Sequence, residues 1–101
     1  MLKFNGNQVF FKHYPDETGL ISGENAQILF YYGRTECIIT ERNPKTEEDE
    51  VIYYGEAYCS VNDTFDKSVG RKLSLARALE TAPKDFRTKV WKLYLETVRV
   101  K

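Results

Sequence analysis

Hydrophobic positions along this chain fall into two regimes. As far as Val61 they come in short alternating or unbroken runs between turn formers, and from Phe65 onward they recur every three or four positions. The first spacing belongs to strands and the second to helices. Gln8 to Tyr14 (QVFFKHY) sets Val9, Phe11 and His13 on one side and Phe10, Lys12 and Tyr14 on the other, and Pro15 should end it. Asp16 to Asn25 carries two glycines and reads as a loop, with Leu20 and Ile21 offering an optional fifth strand. Ala26 to Tyr32 (AQILFYY), bounded by Asn25 and Gly33, suits a central strand covered on both faces. Arg34 to Arg42 alternates, with Cys37 and Ile39 on one face and Glu36, Ile38 and Thr40 on the other. NPKTEEDE then marks an exposed hairpin loop.

Val51 to Val61 predicts the longest strand. Val51, Tyr53, Gly55, Ala57, Cys59 and Val61 share a face whose small residues leave room for a helix, and Tyr54 and Tyr58 point the other way. Thr64 or Asp63 is expected to cap a first helix, with Phe65, Val69, Leu73, Ala76 and Leu79 as its buried face. Gly70, Ser74 and Arg77 form a row beside that stripe, with Arg71 on the outer side. Glycine inside a helix costs about 1 kcal/mol relative to alanine, so Gly70 implies a close approach by another body. The helix should stop near Thr81, because Pro83 disfavours helical geometry at Ala82 and is a good first residue for a second helix. In that helix Phe86, Val90, Leu93, Tyr94 and Thr97 make one face, and Trp91, Leu95 and Val98 a second row suited to self-association. The expected fold is α+β, an antiparallel sheet of four or five strands followed by two C-terminal helices packed on one face.

Composition narrows the picture. At 101 residues the chain makes one domain, residues 1–101, and 15 basic against 15 acidic residues argue against a general nucleic-acid binder or a DNA mimic. No stretch approaches the length of a membrane span and the N-terminus lacks a signal-like apolar run, so a cytoplasmic protein is expected. Two cysteines, Cys37 and Cys59, and one histidine, His13, assemble no metal-binding spacing. Catalysis is not expected either: His13 has no neighbouring serine or cysteine motif, Asp63 and Asp66 are accounted for as capping residues, and neither a P-loop nor a dinucleotide-binding turn occurs. No cofactor is called for.

Binding fits the side chains better. A phosphate-bearing ligand with bases needs guanidinium groups, an aromatic plane and an amide. Arg71, Arg77, Asn62, Phe65 and Tyr54 supply these, with Arg34 as a further candidate.

The pattern C-x-x-x-D-x-F-x-x-x-x-G-R-x-x-x-L-x-R-A-L from Cys59 to Leu79, followed by F-R-x-x-x-W-x-x-Y from Phe86 to Tyr94, resembles a group of small bacteriophage proteins and covers about a third of the chain. The order of strands and helices and the chain length are also similar to the phage sponges that counter Thoeris defence. That resemblance implies a non-enzymatic homo-oligomer in the host cytoplasm that sequesters a cyclic ADP-ribose-type signal at a subunit boundary, using arginine, an aromatic residue and asparagine. Two other readings stay open: an inhibitor that occludes a host or defence protein through the Glu47 to Glu50 loop or the exposed tyrosines, and a single-stranded nucleic-acid binder that stacks bases on aromatic rings.

Overall fold

Gly33 does not divide two strands. In the computed structural model, which describes residues 2–22, 27–60 and 64–99, the chain runs through it as one strand. Gly33 lies at φ +76°, and the register with the neighbouring strand slips between Tyr31 and Arg34, so the glycine forms an irregularity within the strand where the pattern predicts a boundary. One residue is too short a link to reverse an antiparallel chain. The elements are β1 (Leu2–Phe4), β2 (Asn7–Ser22), β3 (Ile28–Arg42), β4 (Asp49–Ser60), α1 (Lys67–Ala78) and α2 (Lys84–Arg99). All neighbours are antiparallel in the order β1-β2-β3-β4, the α+β layer expected from the sequence, with four strands.

Pro15 does not end β2. The pairing with β3 skips from Tyr14 to Thr18 and resumes, so Leu20 and Ile21 belong to the same strand and are no fifth one. β1 covers β2 only at Asn7 to Val9, so Pro15 lies where no outer strand needs its missing N–H. The loop before β4 is the expected turn: the Asn43 carbonyl accepts from Glu47 N and its side-chain oxygen accepts from Lys45 N.

Both helices lie on the face carrying Val9, Cys37 and Ile39, each fully buried. α2 follows its predicted face, with Val90 and Tyr94 buried, the Phe11 and Tyr94 rings 5.9 Å apart and those of Tyr53 and Phe86 5.4 Å apart. Trp91 turns back onto Tyr94 edge to face, while Leu95 and Val98 stay exposed.

α1 departs from expectation. Asp66 caps it, its carboxylate accepting from Ser68 N and Val69 N, so Thr64 does not; Asp63 lies outside the described residues. The buried residues are Ser74, Leu75 and Ala78, with Leu79 at the C-cap, whereas Val69, Leu73 and Ala76 are exposed. At 3.6 residues per turn Ser74, Leu75 and Ala78 lie roughly on the opposite side of the helix from Val69, Leu73 and Ala76, the centre of the face predicted by hydrophobicity. Contact with the sheet is the cause. A Cβ on Gly55 would sit 2.3 Å from both the Ser74 carbonyl oxygen and the Ala78 nitrogen, and one on Gly70 would sit 2.3 Å from Thr35 Oγ1. Gly70, Ser74 and Ala78 form the small row that lets the helix backbone lie on β3 and β4, and this close packing outweighs exposing Val69 and Leu73.

Candidate functional site

The two faces of the sheet carry different chemistry. Opposite the helices, Arg34 on β3 stands among three carboxylates. Its Nε and Nη2 donate to the two oxygens of Glu17 at 2.5 and 3.0 Å, its Nη1 lies 3.1 Å from Glu36 and 3.7 Å from Glu56, and its guanidinium carbon sits 4.4 Å above the Tyr14 ring. Four tyrosine hydroxyls close the network: Tyr31 donates to Glu17, Tyr14 and Tyr54 to Glu36, and Tyr58 to Glu56. Alternation places Arg34 and Glu36 on β3 and Tyr54, Glu56 and Tyr58 on β4, whereas Tyr31, of opposite parity to Arg34, reaches this face through the irregularity at Gly33.

Electrostatics follow the geometry. The Arg34 hydrogen bonds hold Glu17 below the usual carboxylate range, and burial works against them. Glu36 is also held low: burial raises it, but donation from Tyr54, Tyr14 and Arg34 prevails. Burial and the Glu56 carboxylate push Tyr58 up to about 12, and burial with Glu36 and Glu56 raises Tyr54 as well. Within the cluster one guanidinium meets three carboxylates, and Lys12, the cross-strand partner of Glu36, adds a second cation to the same face. Arg34 is already committed to Glu17 in a bidentate pair, which leaves it no open fork for a phosphate.

On the helix side a cleft of about 420 Å³ opens between the start of α1 and the C-terminal half of β4, lined by Thr35, Ser60, Thr64, Phe65, Val69 and Leu73 among others. Phe65 seats its ring on Gly33 and meets His13 nearly perpendicular, centroids 6.2 Å apart. His13 Nδ1 lies 3.0 Å from Thr35 Oγ1. Burial lowers the His13 pKa first, and the positive charges of Arg71 and Lys67 lower it further.

The sequence candidates therefore divide among three places. Arg34 and Tyr54 meet on the open face, the Arg34 Nη1 to Tyr54 oxygen distance being 3.5 Å. Phe65 and Arg71 belong to the α1 side. Arg77 donates to the Glu56 carbonyl at 2.7 Å across the free edge of β4, in a shallow groove with Tyr54, Ala76 and Glu80. Asn62 lies outside the described residues. Sequence reasoning missed Glu17, Tyr14, Tyr31 and Thr35. The parity of Glu36 with Arg34 was available as a signal, but Glu17 joins them only through the irregularity after Tyr14.

Among the described residues no group of three or more His, Cys, Asp or Glu side chains is arranged to hold a metal ion, and no helix is long and apolar enough to cross a membrane. Comparison of the chain with protein-family models, curated proteins and solved structures finds no match in any of the three.

Proposed function

We propose that the chain is a non-enzymatic phage anti-defence protein of the host cytoplasm that captures a cyclic nucleotide signal of the cyclic ADP-ribose type, and that the cleft beside α1 receives it. The observation that carries this reading is the combination in that cleft of the Phe65 ring, an apolar wall of Val69 and Leu73, and the hydroxyl groups of Thr35, Ser60 and Thr64, with Asp66 the one acidic residue of the described lining. Ligand clefts of roughly 300–1,000 Å³ accommodate small molecules by this mixture of apolar surface and a few polar groups. Arg71 and Lys67 both act electrostatically on His13, whose ring packs against Phe65 of the cleft. A binding role without turnover agrees with His13, whose hydroxyl partner Thr35 is 1% exposed beneath Gly70 and so is placed to support the helix.

A panel of cyclic nucleotides in a thermal-shift assay tests the reading, because a ligand that binds only the folded state raises the melting temperature. Arg71→Ala is expected to weaken the best ligand roughly tenfold to a hundredfold by isothermal titration, the effect of losing one charge-assisted contact, and to leave the melting temperature of the free protein within about a degree or two. The absence of a shift with every member of the panel overturns the reading.

A second reading draws on the open face. Tyrosines interleaved with carboxylates suit an interface with a basic protein surface, which fits an inhibitor that occludes a host or defence protein. In infected cells the two separate cleanly: loss of protection in Arg71→Ala favours nucleotide capture, and loss in Tyr31→Ala/Tyr58→Ala with Arg71→Ala unaffected favours the inhibitor.

A further inference from the structure

β4 is an edge strand along its whole length. The order β1-β2-β3-β4 leaves its outer side without a neighbouring strand among the described residues, and β1 at the other edge has three residues against its twelve. An exposed edge is a template for another chain, and proteins ordinarily blunt it with lysine, proline, a bulge or a covering segment. β4 contains no lysine, arginine or proline. Its register slips between Val51 and Tyr53 and again after Tyr58, but from Tyr53 to Tyr58 it pairs with Ile39 to Arg34 without interruption. A regular run of this kind spans roughly 20 Å, the length of an ordinary strand.

Arg77 identifies the groups of this run that face outward. Reaching over the edge from α1, its Nη1 donates to the Glu56 carbonyl at 2.7 Å. Glu56 therefore turns its main chain away from β3, and alternation gives Tyr54 and Tyr58 the same direction. The Arg77 donor stands where the N–H of a fifth strand would stand. Beside it Tyr54, Gly55 and Glu56 floor a shallow groove whose wall is Ala76, Arg77 and Glu80. An edge with a groove beside it meets both needs of strand addition: main-chain hydrogen bonds give affinity, and room for alternate side chains gives selectivity. We infer that the edge of β4 from Tyr53 to Tyr58 is a docking site for an extended, lysine- or arginine-rich segment of a partner protein, which adds as a fifth strand and displaces the Arg77 side chain.

Charge selects this occupant. Residues 47–56 hold five carboxylates and no cation, and Glu80 adds another on the groove wall, where Arg77 is the opposing charge. A basic segment is steered to such an edge. A second copy is not, because a two-fold pairing of β4 with itself centred on this run sets the two Glu56 side chains together and brings the rest of the acidic stretch with them. In the free protein Arg77 acts as a plug that satisfies one outward carbonyl. The groove shares no residue with the cleft beside α1, so the inference does not depend on the nucleotide reading. It also goes beyond the occluding inhibitor, since it uses main-chain groups of the edge where that reading uses side chains of the open face.

The probe is an end-blocked heptapeptide alternating lysine and valine, titrated against the full chain by fluorescence anisotropy. It is expected to saturate, and its glutamate–valine counterpart to bind at least about tenfold more weakly. The lysine peptide methylated at its internal amide nitrogens keeps the charge and loses the donors, and is also expected to bind at least about tenfold more weakly. Hydrogen exchange at the amides of Tyr54, Glu56 and Tyr58 should slow when the unmethylated peptide binds. Arg77→Ala, at an exposed position, is expected to tighten binding roughly threefold or more, because nothing then has to be displaced. The peptide comparisons use the unaltered protein and so decide the matter even if that variant misfolds. Equal binding of the methylated peptide, no saturation up to about 1 mM, weaker binding by a folded Arg77→Ala, or slowed exchange along this edge as the protein alone is concentrated overturns the inference.

Discussion

Gly55→Ala is expected to lower stability by about 3 kcal/mol, the upper end of what overpacking a core costs, and the melting temperature by roughly 12–24 °C for a domain of this size. The added methyl would lie 2.3 Å from the Ser74 carbonyl oxygen and the Ala78 nitrogen, both main-chain atoms of α1. A flexible side chain could swing aside, but here the helix itself must lift from β4. Lifting it opens the core around Leu75 and Leu79, both buried to within 1%. Gly70→Ala is the natural control. Its methyl would meet the Thr35 side chain, and the clash is offset in part by about 1 kcal/mol of improved helix propensity. Thermal melts of the two variants should rank Gly55→Ala well below Gly70→Ala; equal losses would mean that the approach of α1 to β4 is not what holds the layers together.

Arg34→Ala is expected to lower the melting temperature by several degrees near neutral pH, and the loss should shrink as the solution is acidified. In the unaltered protein Glu17 and Glu36 are held below their unfolded pKa values, so the folded state binds fewer protons than the unfolded one. The stability they contribute is present above the unfolded value of about 4.5 and is lost as pH falls through the folded values. Without the guanidinium, Glu17, Glu36 and Glu56 face one another with only hydroxyl donors, and burial and mutual repulsion favour protonation. A carboxylate raised in this way stabilises the folded state at low pH and loses that contribution as pH rises. The two melting curves should therefore separate toward pH 7 and converge as the pH falls below the unfolded carboxylate value of 4.5. A difference independent of pH would mean that Arg34 acts through packing on Tyr14 alone.

Several features of the fold are properties of the sequence by itself. The change of period near Phe65 separates the sheet from the helices, and four acidic residues after Asn43-Pro44 leave that stretch nothing to do but turn. Gly55 and Ala57 on alternate positions mark the face of β4 that accepts a helix, and Phe86, Val90 and Tyr94 orient α2, because large side chains at fixed spacing leave one way to bury them. Tyr54 and Tyr58 are assigned to the opposite face by the same alternation.

Only the tertiary structure decided the rest. Whether Gly33 ends a strand or lets it continue depends on whether Arg34 and Tyr31 find partners on β4, which is not a local property. The Arg34 site likewise needs Glu17, brought into range by the slip in pairing after Tyr14. The orientation of α1 is the clearest instance. Two rows on that helix are apolar enough to be buried, Val69, Leu73 and Ala76 or Leu75, Ala78 and Leu79, and hydrophobicity does not choose between them. Gly70 and Ser74 add nothing to an apolar periodicity, yet opposite Gly55 and Thr35 they allow backbone to approach backbone, and dispersion over that close contact settles which row turns inward. Periodicity records which residues share a face. How near two faces can come is a property of both, and it exists only once they meet.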